Sequence, residues 1–392
     1  MIAKRVVIKD DRIRSLERRH PWIFSRGIQS SDNCEDGDIV EVYSRKDRFL
    51  GMGYWQDGSI MVRILSFEKE SIDLAFWMKR LSQGIELRKE LGYPSSHTTA
   101  YRLIHGEGDQ LSGLIIDIYD SIAVIQCHTI GIHRQLDLIA EALISLLGSH
   151  IKTIVSKSGN TLPHDYAQNH PDEVIHGTID EAVILENGHQ FIIDVEHGQK
   201  TGFFLDQRDN RALVGDFSEG KSVLNLYSYT GGFSIYALDQ GAANVTSVDI
   251  SAPAIEICDR NAAKSNNPNA HQGLVANVHE YLKTLEDDVY DIIVVDPPAF
   301  AKSTRKRHNA IQAYKRINAA AIRKVKKGGL IFTFSCSQVV DAPIFYNTIM
   351  SAAIEARRPC QVLKRLSQGA DHPVSIYHPE GSYLKGLLLK VG

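Results

Sequence analysis

The chain is poor in cysteine: five in 392 residues, Cys34, Cys127, Cys258, Cys336 and Cys360, widely spaced and with no Cys-x-x-Cys pair. An odd, scattered set argues against a disulfide framework and a structural zinc site. No apolar run approaches the roughly 20 residues that span a bilayer. The opening MIAKRVVIKDDRIRSLERRH lacks the apolar core of a secretory signal. The expectation is a soluble, cytoplasmic protein of a reducing compartment, with no membrane partner. At 43% hydrophobic and 23% charged residues, with 29 Gly and 12 Pro, the composition excludes fibrous, collagenous and wholly disordered classes. At about 150 residues per domain, the length predicts two or three domains.

An excess of one charge is also missing, with 44 Lys+Arg against 47 Asp+Glu. The charges are unevenly spread, however. From Lys302 to Lys327 there is no Asp or Glu, but there are ten cations: Lys302, Arg305, Lys306, Arg307, Lys315, Arg316, Arg323, Lys324, Lys326 and Lys327. Met1 to Arg26 carries eight cations against three acids. Concentrated cations are the footprint of phosphate-backbone binding, the plain alternative being a solvated helix face.

To about Glu70 the sequence alternates short apolar strands with Gly and Asp turns, as in DGDIVEVYS and SIMVRIL, which predicts a small β-barrel. Leu74, Trp77, Met78, Leu81 and Ile85 recur at helical spacing. The strand-like LIIDIY and SIAVIQCH and a helix over 134–147 follow. Residues 72–185 therefore form a small central α/β unit. From Ser222 onward VLNLYS, NVTSVDI, DIIVVD and GLIFTFSCS alternate with amphipathic helices, the pattern of a parallel sheet wound on both faces. The expected domains are 1–71, 72–185 and 186–392.

Neither G-x-G-x-x-G nor G-x-x-x-x-G-K-[ST] occurs, so dinucleotide and P-loop fingerprints are absent. The first strand of the last unit instead runs into Tyr227-Ser228-Tyr229-Thr230-Gly231-Gly232-Phe233, where two glycines let the backbone approach a ligand. The second ends at Asp249, placed to accept from ribose hydroxyls. A nucleoside cofactor without pyrophosphate fits, and S-adenosylmethionine is the commonest. Another strand ends in Asp296-Pro297-Pro298-Ala299-Phe300, a rigid loop that offers an acid and a ring to a planar substrate; stacking of a base there is worth about 1–3 kcal/mol. The next delivers Cys336 to the same crevice, where neighbouring cations or backbone N–H groups favour thiolate. The other four cysteines are read as inert small hydrophobes.

In these motifs the chain resembles the bacterial PUA-domain-containing, S-adenosylmethionine-dependent 23S rRNA cytosine-C5 methyltransferases. RRHPWIFSRGI with DGDIVEVYS is similar to their PUA barrel, an RNA-binding module, and YRLIHGEGDQLSGLIIDIYD to the start of their central domain. GQKTGFFLDQRDNR, LNLYSYTGGFSIYA, SVDIS, VDPPAF and FSCS match their cofactor and catalytic motifs in order. The resemblance implies a Rossmann-like class I methyltransferase domain, ribosomal RNA as partner and a homodimer. It also implies that Tyr227, Thr230, Gly231 and Phe233 line the methionine and adenine path. Asp249 would hold the ribose with Ile250 beside it, and Phe204, Asp206 and Arg208 would close the pocket. Asn277 stands where relatives commonly carry Asp, which implies a weakened adenine contact. Asp296 would border the cofactor and serve catalysis, and Cys336 would attack C6 of the target cytosine. Pro297, Pro298, Phe300, Lys302, Arg305, Lys306, Arg307, Lys315 and Arg316 would meet RNA. Two other functions share these features: methylation of an exocyclic amine through the Asp-Pro-Pro-x-Phe loop, and a non-catalytic RNA-binding or assembly factor. The base that removes the C5 proton is not identifiable from the sequence.

Overall fold

The computed structural model describes residues 3–301 and 303–392; Lys302 lies outside them. The chain forms two compact units. The first runs through Ala182 and also takes in Asp194–Phe203 and Ala370–Gly381; the second comprises Val183–Ile193, Phe204–Gly369 and Ser382–Gly392.

The first unit opens with a curled six-stranded sheet, Lys4–Ile8, Trp22–Phe24, Ile28–Ser31, Ile39–Tyr43, Phe49–Trp55 and Ile60–Ser66. Its interior is the inward alternation of those strands: Val6, Ile8, Val40, Val42, Val62 and Ile64 are all buried. A helix, Asp10–Glu17, interrupts what the sequence reads as continuous β. Its one buried residue is Leu16, and Ile13 and Leu16 are its only apolar residues, too few to establish a 3.6-residue period in the sequence. The five-stranded sheet that follows packs under Leu74–Glu90, whose N-cap Asp73 accepts from the Phe76 N–H, and under Leu136–Leu147. Ala370–Gly381 is pinned to this unit by charge. Arg88 grips Asp109 with two bonds of 2.6 and 2.7 Å and donates to the Asp371 carbonyl, while the Asp371 carboxylate accepts from the Arg102 N–H.

In the second unit we label the strands β1 (Ser222–Leu226), β2 (Asn244–Asp249), β3 (His271–Val275), β4 (Tyr290–Val295), β5 (Val325–Ser335), β6 (Cys360–Leu366) and β7 (Lys385–Val391). The helices are α1 (Arg208–Asp216), α2 (Gly232–Asp239), α3 (Ala252–Ala262), α4 (Val278–Thr284), α5 (Arg307–Lys324) and α6 (Ala342–Ala356). Sheet order is 3-2-1-4-5-7-6. β1 to β5 are parallel, and β7 lies antiparallel between β5 and β6, so that Leu389 faces Ile331 on one side and Val362 on the other. This is the Rossmann-like α/β layering expected from the alternation of elements. Strand order reverses at β1 and β4, and the crevice at their carboxyl ends is where such sheets bind ligands. A buried relay from Asn225 through Ser234 and Ser247 to His271, with steps of 2.7–2.9 Å, ties β1, α2, β2 and β3 together just beneath it.

Candidate active site

The loop between β1 and α2 is held in an uncommon shape. Tyr227 (φ 60°), Tyr229 (φ 48°) and Gly231 (φ 88°) are all left-handed, the first two being conformations that non-glycine residues adopt at a cost. At Gly231 a Cβ would lie 2.6 Å from the Cys258 sulfur, so only glycine fits. Asn261, fully buried on α3, fixes the loop by donating to the Thr230 carbonyl across 3.0 Å. The buried hydroxyls of Ser228 and Thr230 have no hydrogen-bond partner among the described residues. Unpartnered buried hydroxyls in a strained loop fit a polar ligand that completes them. Phe233, by contrast, is buried and stacks on Phe334, as core.

Asp249 ends β2 and is partly exposed. Its two oxygens accept from the backbone N–H groups of Tyr229 and Ser251, both at 2.9 Å, which aims the carboxylate and leaves lone pairs for hydroxyl donors. Burial and the Asp249 charge together push the Tyr227 phenol up to about 12. Beyond the strand ends Ile250 is 71% exposed and Val275 56%, a large apolar surface open to solvent beside a carboxylate. Asn277 is the N-cap of α4: its side-chain oxygen accepts from the N–H groups of His279 and Glu280. That oxygen already serves the helix, and the amide N–H₂ remains to donate.

Asp296 and Cys336 follow the ends of the adjacent parallel strands β4 and β5, where Val295 pairs with Thr333. Both are partly exposed. Fully buried Tyr314 of α5 senses both: burial drives its phenol pKa upward, and the nearby Cys336 and Asp296 add to the rise. Pro297 is buried and Pro298 exposed. Phe300 packs edge-on to Tyr314 at 4.7 Å, which fixes its ring orientation. Two residues the sequence reading passed over meet this pair. Gln207 donates to Asp296 Oδ2 at 3.0 Å. Lys385, opposite Ser335 in the β5–β7 ladder and only 7% exposed, donates to the carbonyls of Ser337 (2.6 Å) and Tyr383 (2.8 Å). Burial lowers its pKa to about 8, against the opposing pull of Cys336 and Asp341.

Phe204, Asp206 and Arg208 surround the turn Leu205–Gln207 that leads into α1. Phe204 stands edge-on to Tyr229 at 5.2 Å. Asp206 and Arg208 are buried: Asp206 accepts from the Tyr383 hydroxyl, and Arg208 faces Glu186 at 3.5 Å. Glu186, fully buried, also takes a bidentate bond from Arg211, with both N···O distances 2.7 Å. This carboxylate outweighs the burial that opposes the Arg211 charge, so the Arg211 pKa is raised. These groups support the site from behind.

The model of the S-adenosylmethionine-dependent methyltransferase family matches residues 101–375. The chain belongs to that family. A PUA-like domain model matches residues 6–67. Proteins of Aeromonas salmonicida and Aeromonas hydrophila, both named ribosomal RNA large subunit methyltransferase I, are 39% identical, covering 97% of this chain and of theirs. A solved chain described as a methyltransferase complexed with SAH covers 100% of both chains, with TM-score 0.85 and 26% identity. A chain described as a SAM-dependent methyltransferase from Streptococcus mutans gives 0.84 and 25%, over 99% of this chain and 100% of that one.

This methyltransferase thus takes S-adenosylmethionine as cofactor, and the loop at 227–231, Asp249 and the Ile250 surface fit it. The basic run of 302–327 is less uniform than its composition. Lys315 and Arg323 pair with Glu355, Lys324 with Asp287 and Lys326 with Asp291. Arg305, Lys306, Arg307 and Arg316 have no carboxylate partner among the described residues, and all but Arg307 are exposed. Lys302 lies outside the described residues. Among the described residues no helix is long and apolar enough to cross a membrane.

Proposed function

We propose that the protein methylates C5 of a cytosine in large-subunit ribosomal RNA through a covalent bond between Cys336 and C6. The observation that carries this reading is the placement of a partly exposed thiol just after β5, beside β4, whose end leads into Asp296. The name shared by the relatives supports ribosomal RNA as substrate. In this reading residues 1–71 grip RNA, 72–185 form a central module and 186–392 carry the chemistry.

Cytosine C5 is too weak a nucleophile to take a methyl group unaided. The Cys336 thiolate adds to C6, forming an S–C6 bond and moving the C5–C6 π electrons toward C5 and N3. Lys385, whose ammonium keeps a third N–H beyond the two given to carbonyls, supplies positive charge next to that sulfur. N3 takes up a proton as charge develops there, and Asp296, steadied by Gln207, hydrogen-bonds that protonated N3 edge. The cofactor supplies the methyl group as an electrophile. Removal of the C5 proton then restores the C5–C6 double bond and expels the thiolate. Asp249 binds the ribose hydroxyls, Ile250 covers one face of the adenine, and Asn277 donates its amide to a ring nitrogen. Arg305, Lys306, Arg307 and Arg316 hold phosphates beside the extruded base.

The test is covalent capture on rRNA carrying 5-fluorocytosine, which blocks the last step. Wild-type protein is expected to form a denaturation-resistant adduct, and Cys336→Ala to form none while still binding the cofactor. Methyl transfer undiminished in Cys336→Ala would overturn the covalent route and point to an exocyclic amine as acceptor.

A further inference from the structure

In the first unit two imidazoles and a carboxylate converge. His20 precedes the strand Trp22–Phe24; His378 and Glu380 lie in the returning segment Ala370–Gly381. His20 Nε2 lies 3.5 Å from Glu380 Oε1, and His378 Nε2 lies 3.8 Å from Glu380 Oε2; one ligand atom from each of the three falls within 4.8 Å of the others. Those separations are too long for hydrogen bonds, which favour about 2.9 Å. They are near the roughly 3.4 Å edge of a tetrahedron whose metal–ligand bonds are about 2.0–2.1 Å.

His378 supplies an independent reason to expect a ligand. Its side chain is 3% exposed, yet neither ring nitrogen has a hydrogen-bond partner among the described residues. Leaving a buried polar group unsatisfied costs about 1–3 kcal/mol, so a bound species that takes a nitrogen lone pair is favoured there. The residue does not move freely to find one. Its backbone is fixed by bonds from its N–H to Ser375 O and from Gly381 N–H to its own carbonyl, and the Trp22 ring packs edge-on at 4.3 Å.

We propose that His20, His378 and Glu380 bind one divalent transition-metal ion, Zn²⁺ by the character of the donors, with a fourth position left for water. Two imidazoles and one carboxylate suit zinc, whereas Mg²⁺ and Ca²⁺ prefer oxygen alone. His20 Nδ1 lies 3.4 Å from Trp22 O and 3.2 Å from Trp22 N. With metal on Nε2 the ring donates from Nδ1 to the carbonyl; without metal, Nδ1 accepts from the N–H instead. The ion fastens segment 370–381 to the barrel. A search for paired cysteines misses such a set, because its ligands come from the two ends of the chain.

The experiment is calorimetric titration of untagged, chelator-stripped full-length protein with Zn²⁺, alongside Glu380→Gln, His20→Asn and His378→Asn. One site per chain is expected in the wild type, with affinity at least tenfold weaker in each variant. Zn²⁺ should raise the melting temperature of the wild type but not of Glu380→Gln. Glu380 is half exposed, so its variant keeps the fold even if His378→Asn does not. Co²⁺ in place of zinc should give the visible absorption of a four-coordinate ion. No binding to the wild type, which would mean that water alone serves His378, overturns the proposal; so does equal binding to wild type and Glu380→Gln.

Discussion

Gln207 donates its side-chain amide to Asp296 Oδ2 across 3.0 Å, and Asn210 holds Gln207 in turn by a 2.6 Å bond to its carbonyl. Asn210 also reaches the Ser367 carbonyl, so the chain of bonds ends on backbone. The carboxylate on the Asp-Pro-Pro loop is therefore oriented by α1 and by the turn before it. Gln207→Leu keeps the volume but removes the donor. It should lower kcat by about 10–100-fold, the range for misplacing a group that acts on developing charge, with KM for the cofactor little changed. Single-turnover methyl transfer checks this, and an unaltered rate removes Gln207 from the mechanism.

Lys385 gives a pH signature in two readouts. Lys385→Met removes the cation beside Cys336, so alkylation of that thiol should reach half its maximal rate at higher pH than in the wild type. Stability is the second readout. In the unfolded chain this lysine titrates near 10.5, in the folded protein near 8. Between those values the unfolded state holds the extra proton, so the lysine's contribution to stability rises with pH across that window. Urea unfolding from pH 7 to 10.5 should show that rise in the wild type and lose it in Lys385→Met.

The pairing pattern of the basic run separates two classes of cation. Replacing Arg305, Lys306 and Arg307 with Gln should weaken RNA binding and reduce the slope of log affinity against log salt by about 2–3, at roughly 0.7–0.9 per lost phosphate contact. Lys315→Gln, which breaks an ion pair with Glu355, should leave the slope nearly unchanged. Filter binding over a salt series decides; equal slopes for both variants would show that pairing within the fold does not control RNA contact.

Glu186 lies fully buried between Arg208 and Arg211. Glu186→Gln removes the buried carboxylate between two buried guanidinium groups and should cost about 3–5 kcal/mol, as breaking a buried pair does. Chemical denaturation measures it, and a loss below about 1 kcal/mol would show that water reaches the arginines.

What was legible in the sequence was local. Apolar segments alternating with amphipathic helices locate β1, β2, β4 and β5, helical spacing locates Leu74–Glu90, and the Gly-Gly turn and the acid-Pro-Pro loop announce themselves as backbone constraints within a few residues. What escaped notice depends on residues far apart. Gln207 meets Asp296 across 89 positions, and Lys385 nears Cys336 only because β7 pairs with β5. Asn277 was read for its side-chain chemistry, but its place at the head of α4 gives its oxygen to the helix. The ten cations of 302–327 read as one patch because sequence shows charge and hides the acids of Glu355, Asp287 and Asp291 that fold onto it. Asp10–Glu17 leaves no helical signature because it has only two apolar residues, Ile13 and Leu16.

The position of β7 has a consequence for assembly. Its two neighbours, Val325–Ser335 and Cys360–Leu366, are both made before it, yet they do not touch each other in the finished sheet. The sheet therefore cannot be extended outward one strand at a time; a slot one strand wide must stay open until Lys385–Val391 slides in and satisfies both rims. Such insertion joins distant parts of the chain and is intrinsically slow. A synthetic copy of that heptapeptide, added during refolding, would compete for the same slot and hold the molecule one strand short of closure.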